Sequence, residues 1–181
     1  MIRDATPADF AAILALNAAS VQYTSPLDAL RLHGLHAQAA YHRVIELDGG
    51  VRAFLLALRE GSDYDSPNYG WFVKRYPEFL YIDRIVVDAM QQGRGLGAIL
   101  YDDLFAFAAR TGVSRLTCEF DLEPPNPASA RFHARYGFRE VGRQHVAGGK
   151  KQVSLQAREL ASAEGTVTDS GMIGADFREG S

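Results

Sequence analysis

The 181-residue chain reads as a single α/β (α+β) domain built on a mixed sheet, and three features predict this. A β-branched run over Leu80–Asp88 breaks into glycines at Gly93, Gly95 and Gly97, continues as an apolar stripe of helical period, and returns to a β-rich run at Val113–Phe120. Two more pairs of β-rich runs are joined by the short turns Asp48-Gly49-Gly50 and Gly148-Gly149, the pattern of antiparallel hairpins. The stretches between them carry N-cap and proline signals followed by helical periodicity, and 47% hydrophobic residues suffice for one sizeable core.

Each element follows in order. After a short first strand, Thr6-Pro7 forms an N-cap and N1 pair, and Phe10, Ile13, Leu14 and Val21 recur at helical spacing. Ser25-Pro26 repeats the device, with Asp28 in the first turn and Leu27, Leu30 and Leu35 carrying a second helix towards Ala40. Tyr41–Leu47 and Val51–Leu58 make the first hairpin. Leu96, Ile99, Leu100, Leu104 and Phe107 stripe the central helix, Arg110 falls in its last turn and Gly112 stops it. A right-handed crossover makes the flanking strands parallel and puts the glycines at the carboxyl end of the first, where open α/β sheets bind ligands. Pro127 opens a short helix with Phe132 and Tyr136 on one face, Gly137 ends it, and Phe138–Val146 with Gln152–Arg158 makes the last hairpin. Ser, Gly, Thr and Asp dominate 161–181, which predicts a mobile tail behind a domain of residues 1–160.

Composition narrows the function. A net charge of −3 disfavours a nucleic-acid partner. No stretch reaches the ~18 uncharged apolar residues of a membrane span, and the N-terminus lacks an apolar signal core, so a cytoplasmic protein without a membrane partner is expected. The single cysteine, Cys118, lies in an apolar run and reads as a buried, inert thiol in a reducing compartment. His33, His36 and His42 fall in or near the second helix without an evident third ligand; they read as solvated histidines, and no metal is expected.

The three glycines let the backbone curl with N–H groups inward at a helix start, a cradle suited to a pyrophosphate. No Lys-Ser or Lys-Thr pair follows them, which excludes a P-loop; counting from Gly93, Ala98 stands where a dinucleotide motif needs its last glycine. The spacing that fits is Val-x-x-x-x-Gln-x-x-Gly-x-Gly, formed by Val87, Gln92, Gly95 and Gly97, and it resembles the coenzyme A motif of the GCN5-related N-acetyltransferases (GNAT). A second block, Asn126 to Phe138, is similar to that family's Asn-x-x-Ser-x-x-Phe-Tyr-x-x-x-Gly-Phe segment.

The resemblance implies a mostly antiparallel sheet of about seven strands with a central, splayed parallel pair and helices on both faces. It further implies an acyltransferase moving an acetyl group from acetyl-CoA directly to a primary amine of a small molecule or peptide. A non-catalytic coenzyme A-binding module is the alternative, and oligomeric state is left open, a homodimer included. By the same resemblance Ile85, Val86 and Val87 offer main-chain groups to pantetheine and to the thioester carbonyl. Gln92, Gly93, Arg94, Gly95, Leu96, Gly97 and Ala98 hold the pyrophosphate, and Asn126, Ser129 and Phe132 complete the coenzyme site. Glu123-Pro124-Pro125 offers one reason for the splay, since prolines cannot donate ladder hydrogen bonds; a plain loop break is the other reading.

Removing a proton from an ammonium of pKa roughly 10 calls for a carboxylate or histidine near the acceptor. Glu119, late in the strand after the central helix, is the first candidate; it resembles the glutamate base of ribosomal-protein-type members. Asp83 is the rival, with a salt bridge to a neighbouring arginine as its structural alternative. His133 stands where many members carry a tyrosine general acid, and Tyr136 one turn away is a substitute. Tyr64 to Tyr81 is dense in aromatics and contains Asp63 and Asp65, which reads either as a lid attracting a cationic amine or as a satellite hydrophobic cluster. Tyr69, Trp71, Tyr81 and Asp121 are the acceptor-binding candidates.

Overall fold

In the computed structural model, which describes residues 1–22 and 24–160, strands and helices alternate much as the glycine and proline signals dictate. The elements are β1 (Ile2–Asp4), α1 (Phe10–Ala19), α2 (Ala29–Gln38), β2 (Tyr41–Leu47), β3 (Gly50–Arg59), α3 (Pro67–Val73) and β4 (Leu80–Val87). They continue with α4 (Leu96–Arg110), β5 (Arg115–Glu123), α5 (Pro127–Arg135), β6 (Arg139–Val146) and β7 (Lys151–Glu159). The tail expected over 161–181 lies outside the described residues.

One seven-stranded sheet has the order β1-β2-β3-β4-β5-β7-β6, antiparallel throughout except for β4 and β5. Helix α4 packs Leu100, Tyr101 and Leu104 against one face, and the fully buried Leu80 and Leu116 meet it there. On the other face, α1 and α2 cover Val44, Phe54 and Val86, while α3 covers Leu58, Tyr81 and Leu155. Asp48 and Gly49 close the β2–β3 hairpin with φ of 52° and 72°, the left-handed pair that a two-residue turn of matching twist requires.

Local chemistry moved several boundaries. Thr6-Pro7 starts only a 3₁₀ turn, closed by a capping box with Asp9; α1 then ends at Ala19, so Val21 lies outside it, half exposed. Helix α2 is capped by Asp28, whose carboxylate accepts from Arg31 N–H, rather than by Ser25. The aromatic stretch contains α3, capped by Ser66 with Pro67 at its first position, and its rings turn inward. Tyr69, Phe72 and Phe79 are buried against β3 and β4, so the satellite cluster, not the lid, describes them. His42 is likewise buried rather than solvated: its Nδ1 meets His36 Nδ1 at 2.9 Å, and burial first, then the neighbouring His36, pushes its pKa down to about 4.

The strands β4 and β5 pair at only two positions, Leu80 with Leu116 and Tyr81 with Thr117, and then diverge. From Ile82 and Cys118 onward each keeps one edge unpaired among the described residues, giving a fork at their carboxyl ends. The fork opens well before Pro124, so the prolines terminate β5 and do not cause the splay. A β-bulge contributes instead: Leu56 faces Arg84 while Ala57 faces Ile82, leaving Asp83 as an extra residue in β4. The bulge bends β4 and, by breaking the alternation, puts Asp83 and Arg84 on the same face as Tyr81.

Candidate active site

A cavity of about 630 Å³ opens at the fork. Its floor includes Tyr81, Asp83, Ile85, Glu119 and Asp121 from the diverging strands, and its walls come from Thr24–Pro26, Tyr64–Asn68 and the start of α5. Because Thr117, Glu119 and Asp121 alternate along β5, Glu119 lies on the Tyr81 side of the sheet; Tyr81 is paired with Thr117, and its hydroxyl donates to Glu119 Oε1 at 2.9 Å. The second oxygen, Oε2, is buried with no hydrogen-bond partner among the described residues. Burial raises the Glu119 pKa to about 8, Asp83 and Asp121 adding to the shift while the Asn68 amide and Tyr81 hydroxyl oppose it. A carboxyl so poised holds its charge poorly at neutral pH and accepts a proton readily once charged.

Asp83 has no such freedom. Its Oδ1 accepts from the Tyr64 hydroxyl at 2.5 Å and its Oδ2 from Arg84 Nε at 2.6 Å, in an ion pair whose side chains are 4% and 1% exposed. This is the salt-bridge alternative, with Arg84 as the neighbouring arginine. Asp121 is held by Lys151 Nζ at 2.8 Å, and Asp65 by Arg31 at 2.7 Å. The three lining aspartates are thus each matched by a cation, and Glu119 is the unmatched acid of the cavity.

His133 also lines the cavity, but both ring nitrogens are engaged. Nδ1 lies 2.8 Å from the Ser129 carbonyl, an acceptor only, so Nδ1 carries the proton and Nε2 accepts from the Tyr101 hydroxyl at 2.8 Å. Burial lowers its pKa, keeping the ring neutral. Tyr136 points at α4, bonding Ala98 O and Asp102 Oδ1, away from the fork. Neither side chain therefore holds an unengaged proton towards the cavity.

The glycine segment matches the demands of an anion. Gly93 and Gly95 have φ of 78° and 81°, and α4 starts immediately after, at Leu96. The main-chain N–H groups of Gln92, Gly93, Gly95, Leu96, Gly97 and Ala98 have no acceptor among the described residues; for Gly95 to Ala98 the start of a helix requires this, and Gln92 and Gly93 extend the row through the loop before it. Leu96 is buried and Ile85, Val86 and Val87 pack into the sheet, so these four offer main-chain groups only. The exposed Arg94 guanidinium is turned to Gln91. Phe132 lies where a Cβ on Gly97 would touch it, packing α5 close over the cradle helix. Asn126 caps α5, its Oδ1 accepting from Ser129 N–H, and also lines the cavity.

Two acceptor candidates do not reach the cavity lining. Tyr69 is buried, its hydroxyl donating to Arg59 O and accepting from Ser62 N–H. Trp71 packs against Gly142, with the Arg75 guanidinium 3.7 Å from its ring centroid. Tyr81 and Asp121 do line it. Sequence reasoning missed Arg31, Asn68 and Lys151, and it read Ser25 only as a helix-start signal and Tyr64 only as part of the aromatic stretch; Ser66-Pro67, the same device used at Thr6-Pro7, was the available signal for α3 and hence for Asn68.

The profile of the acetyltransferase (GNAT) family matches residues 10–138, well over half of the chain. The chain belongs to that family. This GNAT-family chain is 45% identical, over 58 residues, to the phosphinothricin N-acetyltransferase of Streptomyces coelicolor; the match covers 32% of the chain and about a third of that relative's length. Two solved structures share the fold at low identity. One is the ribosomal-protein-S18-alanine N-acetyltransferase of Escherichia coli, with a TM-score of 0.68, 16% identity, and coverage of 91% of this chain and 97% of that one. The other is yncA, a putative acetyltransferase of Salmonella typhimurium solved with acetyl-CoA, with a TM-score of 0.67, 22% identity and coverage of 90% and 94%. No helix among the described residues is long and apolar enough to cross a membrane.

Proposed function

We propose that this GNAT enzyme transfers the acetyl group of acetyl-CoA directly to the primary amine of a small molecule, with Glu119 accepting the proton. The observation that carries the reading is the buried, unpartnered Glu119 Oε2 in a cavity at the mouth of the fork. The free edges of β4 and β5 suit a pantetheine arm, and the six unbonded amides of Gln92–Ala98 suit a diphosphate. The structure of yncA with acetyl-CoA and the phosphinothricin N-acetyltransferase relative support the same donor and a small acceptor.

The chemistry asked of the protein is limited. A bound thioester supplies the electrophilic carbonyl. The fork edge at Val86 or Val87 offers a main-chain donor to its oxygen, and the cavity orients the amine. Glu119 takes the proton that the amine must lose. Neither His133 nor Tyr136 offers an unengaged proton to the departing thiolate, and Glu119, once protonated, is a group placed to return one. With the lining aspartates already paired, Glu119 supplies the one uncompensated carboxyl, which suits a single amine rather than a polycation. The lone buried Cys118 fits a reducing, cytoplasmic setting.

The test is an amine panel with acetyl-CoA, read as thiol release and product mass. Transfer to at least one small amine is expected. Stabilisation by acetyl-CoA without release of thiol on any amine would leave a coenzyme A-binding module, and no stabilisation at all would overturn the donor site.

A further inference from the structure

Arg84 is a buried cation in the middle of a strand, and a buried charge is costly unless its surroundings use it. Its Nε is spent on Asp83; its terminal nitrogens leave the sheet and reach Asn17 and the Ser25 segment of the cavity lining. One donates to Asn17 Oδ1 at 2.8 Å and to the Ser25 carbonyl at 3.2 Å, the other to Ser25 Oγ at 3.1 Å. Asn17, 1% exposed at the end of α1, donates its own amide to the same Ser25 carbonyl at 3.1 Å. Thr24, Ser25 and Pro26 belong to no helix or strand, yet they line the cavity along with Tyr64 and Asn68. The Ser25 carbonyl and hydroxyl together take three hydrogen bonds, two from Arg84 and one from Asn17. The bulge at Asp83 makes this reach available, since a regular strand would send Asp83 and Arg84 to opposite faces.

We propose that Arg84, anchored by Asp83 and seconded by Asn17, is a positioning residue that fixes the Thr24–Pro26 wall and so sets the fit of the acceptor amine. The inference rests on reading the cavity as the acceptor site. Among the described residues the cradle at Gln92–Ala98 shares no hydrogen bond with this network, so pyrophosphate binding does not draw on it.

The experiment compares Ser25→Ala, Ser25→Thr and Arg84→Lys by steady-state kinetics, varying amine and acetyl-CoA separately, with hydrogen exchange of the peptide that carries Thr24–Leu27. Ser25→Ala removes one acceptor and should raise the amine KM about fivefold; Arg84→Lys, unable to span Ser25 and Asn17, should raise it tenfold or more. In both, the acetyl-CoA KM stays within about twofold, exchange of the wall quickens, and Ser25→Thr restores wild-type values. If Arg84→Lys does not fold, the Ser25 pair decides. An unchanged amine KM, or an acetyl-CoA KM that rises in parallel, overturns the proposal. Absence of transfer by the wild-type enzyme removes the transferase reading instead; unchanged exchange in Ser25→Ala then overturns the wall anchor on its own.

Discussion

Replacing Glu119 by glutamine tests the proton acceptor most directly. The substitution keeps the Tyr81 hydrogen bond, because the amide oxygen can still accept from the hydroxyl at the Oε1 position, and it removes the charge. With a pKa of about 8, the carboxyl is roughly one-tenth ionised at pH 7 and nine-tenths ionised at pH 9. Wild-type turnover should therefore gain about tenfold across that interval beyond what the titration of the amine contributes, and the variant should lack that gain. General-base catalysis contributes roughly 10²–10⁴-fold, which is the expected loss in kcat at pH 9. Stability supplies an independent readout. The folded pKa lies above the usual carboxyl value, so protonated Glu119 favours the fold at low pH, and that contribution is lost as pH rises from about 4.5 to about 8. The wild type should weaken relative to Glu119→Gln across that window, at no more than about 1.4 kcal/mol per pH unit, and run parallel to it above. Profiles of kcat and melting temperature for the two proteins, each in the same buffers, check both. Equal kcat profiles would refute the role; parallel melting curves throughout would refute the raised pKa behind it.

Gly95 sits at φ 81° with open space where a Cβ would go, so Gly95→Ala should cost about 1–2 kcal/mol of left-handed strain and tilt the cradle amides. Calorimetry should find coenzyme A affinity reduced tenfold or more. His133→Phe strands the buried Tyr101 hydroxyl, an expected loss of about 1–3 kcal/mol seen as a lower melting temperature, while the shape of the pH–rate profile persists. A lost alkaline limb would instead make His133 the proton donor. In Gly142→Ala the new methyl would overlap the Trp71 ring, so about 1–3 kcal/mol of stability should go, with a shift in the emission of the chain's one tryptophan.

What could be read in advance was whatever depends on local sequence. The glycines at 93, 95 and 97 had to mark a turn, and the runs around Asp48-Gly49 had to pair, because backbone sterics leave few other options. Glu119 was legible as an acid in the strand after the central helix, and it does line the cavity. The rest is set by partners far along the chain. No periodicity announces the one-residue bulge at Asp83, and with it goes the pairing of Asp83 with Arg84 and the path from Arg84 to Ser25. His133 looked like a proton donor until Tyr101, thirty-two residues away, was found to occupy its Nε2. The aromatic stretch stayed undecided between lid and cluster for a similar reason: the inward direction of Tyr69 and Phe72 depends on the sheet beneath α3.

The two-position contact between β4 and β5 has a mechanical meaning. The sheet is in effect two rafts, one of four strands and one of three, moored at Leu80–Leu116 and Tyr81–Thr117. A guest laid along the fork would lace the rafts together with ladder bonds that the polypeptide alone does not make. Donor capture is then also the completion of a β-sheet, and the melting temperature should climb with coenzyme concentration, the gain reaching about 2.7 kcal/mol at a hundredfold excess over Kd. The slowing of amide exchange should be greatest along Ile82–Val87, where the seam closes.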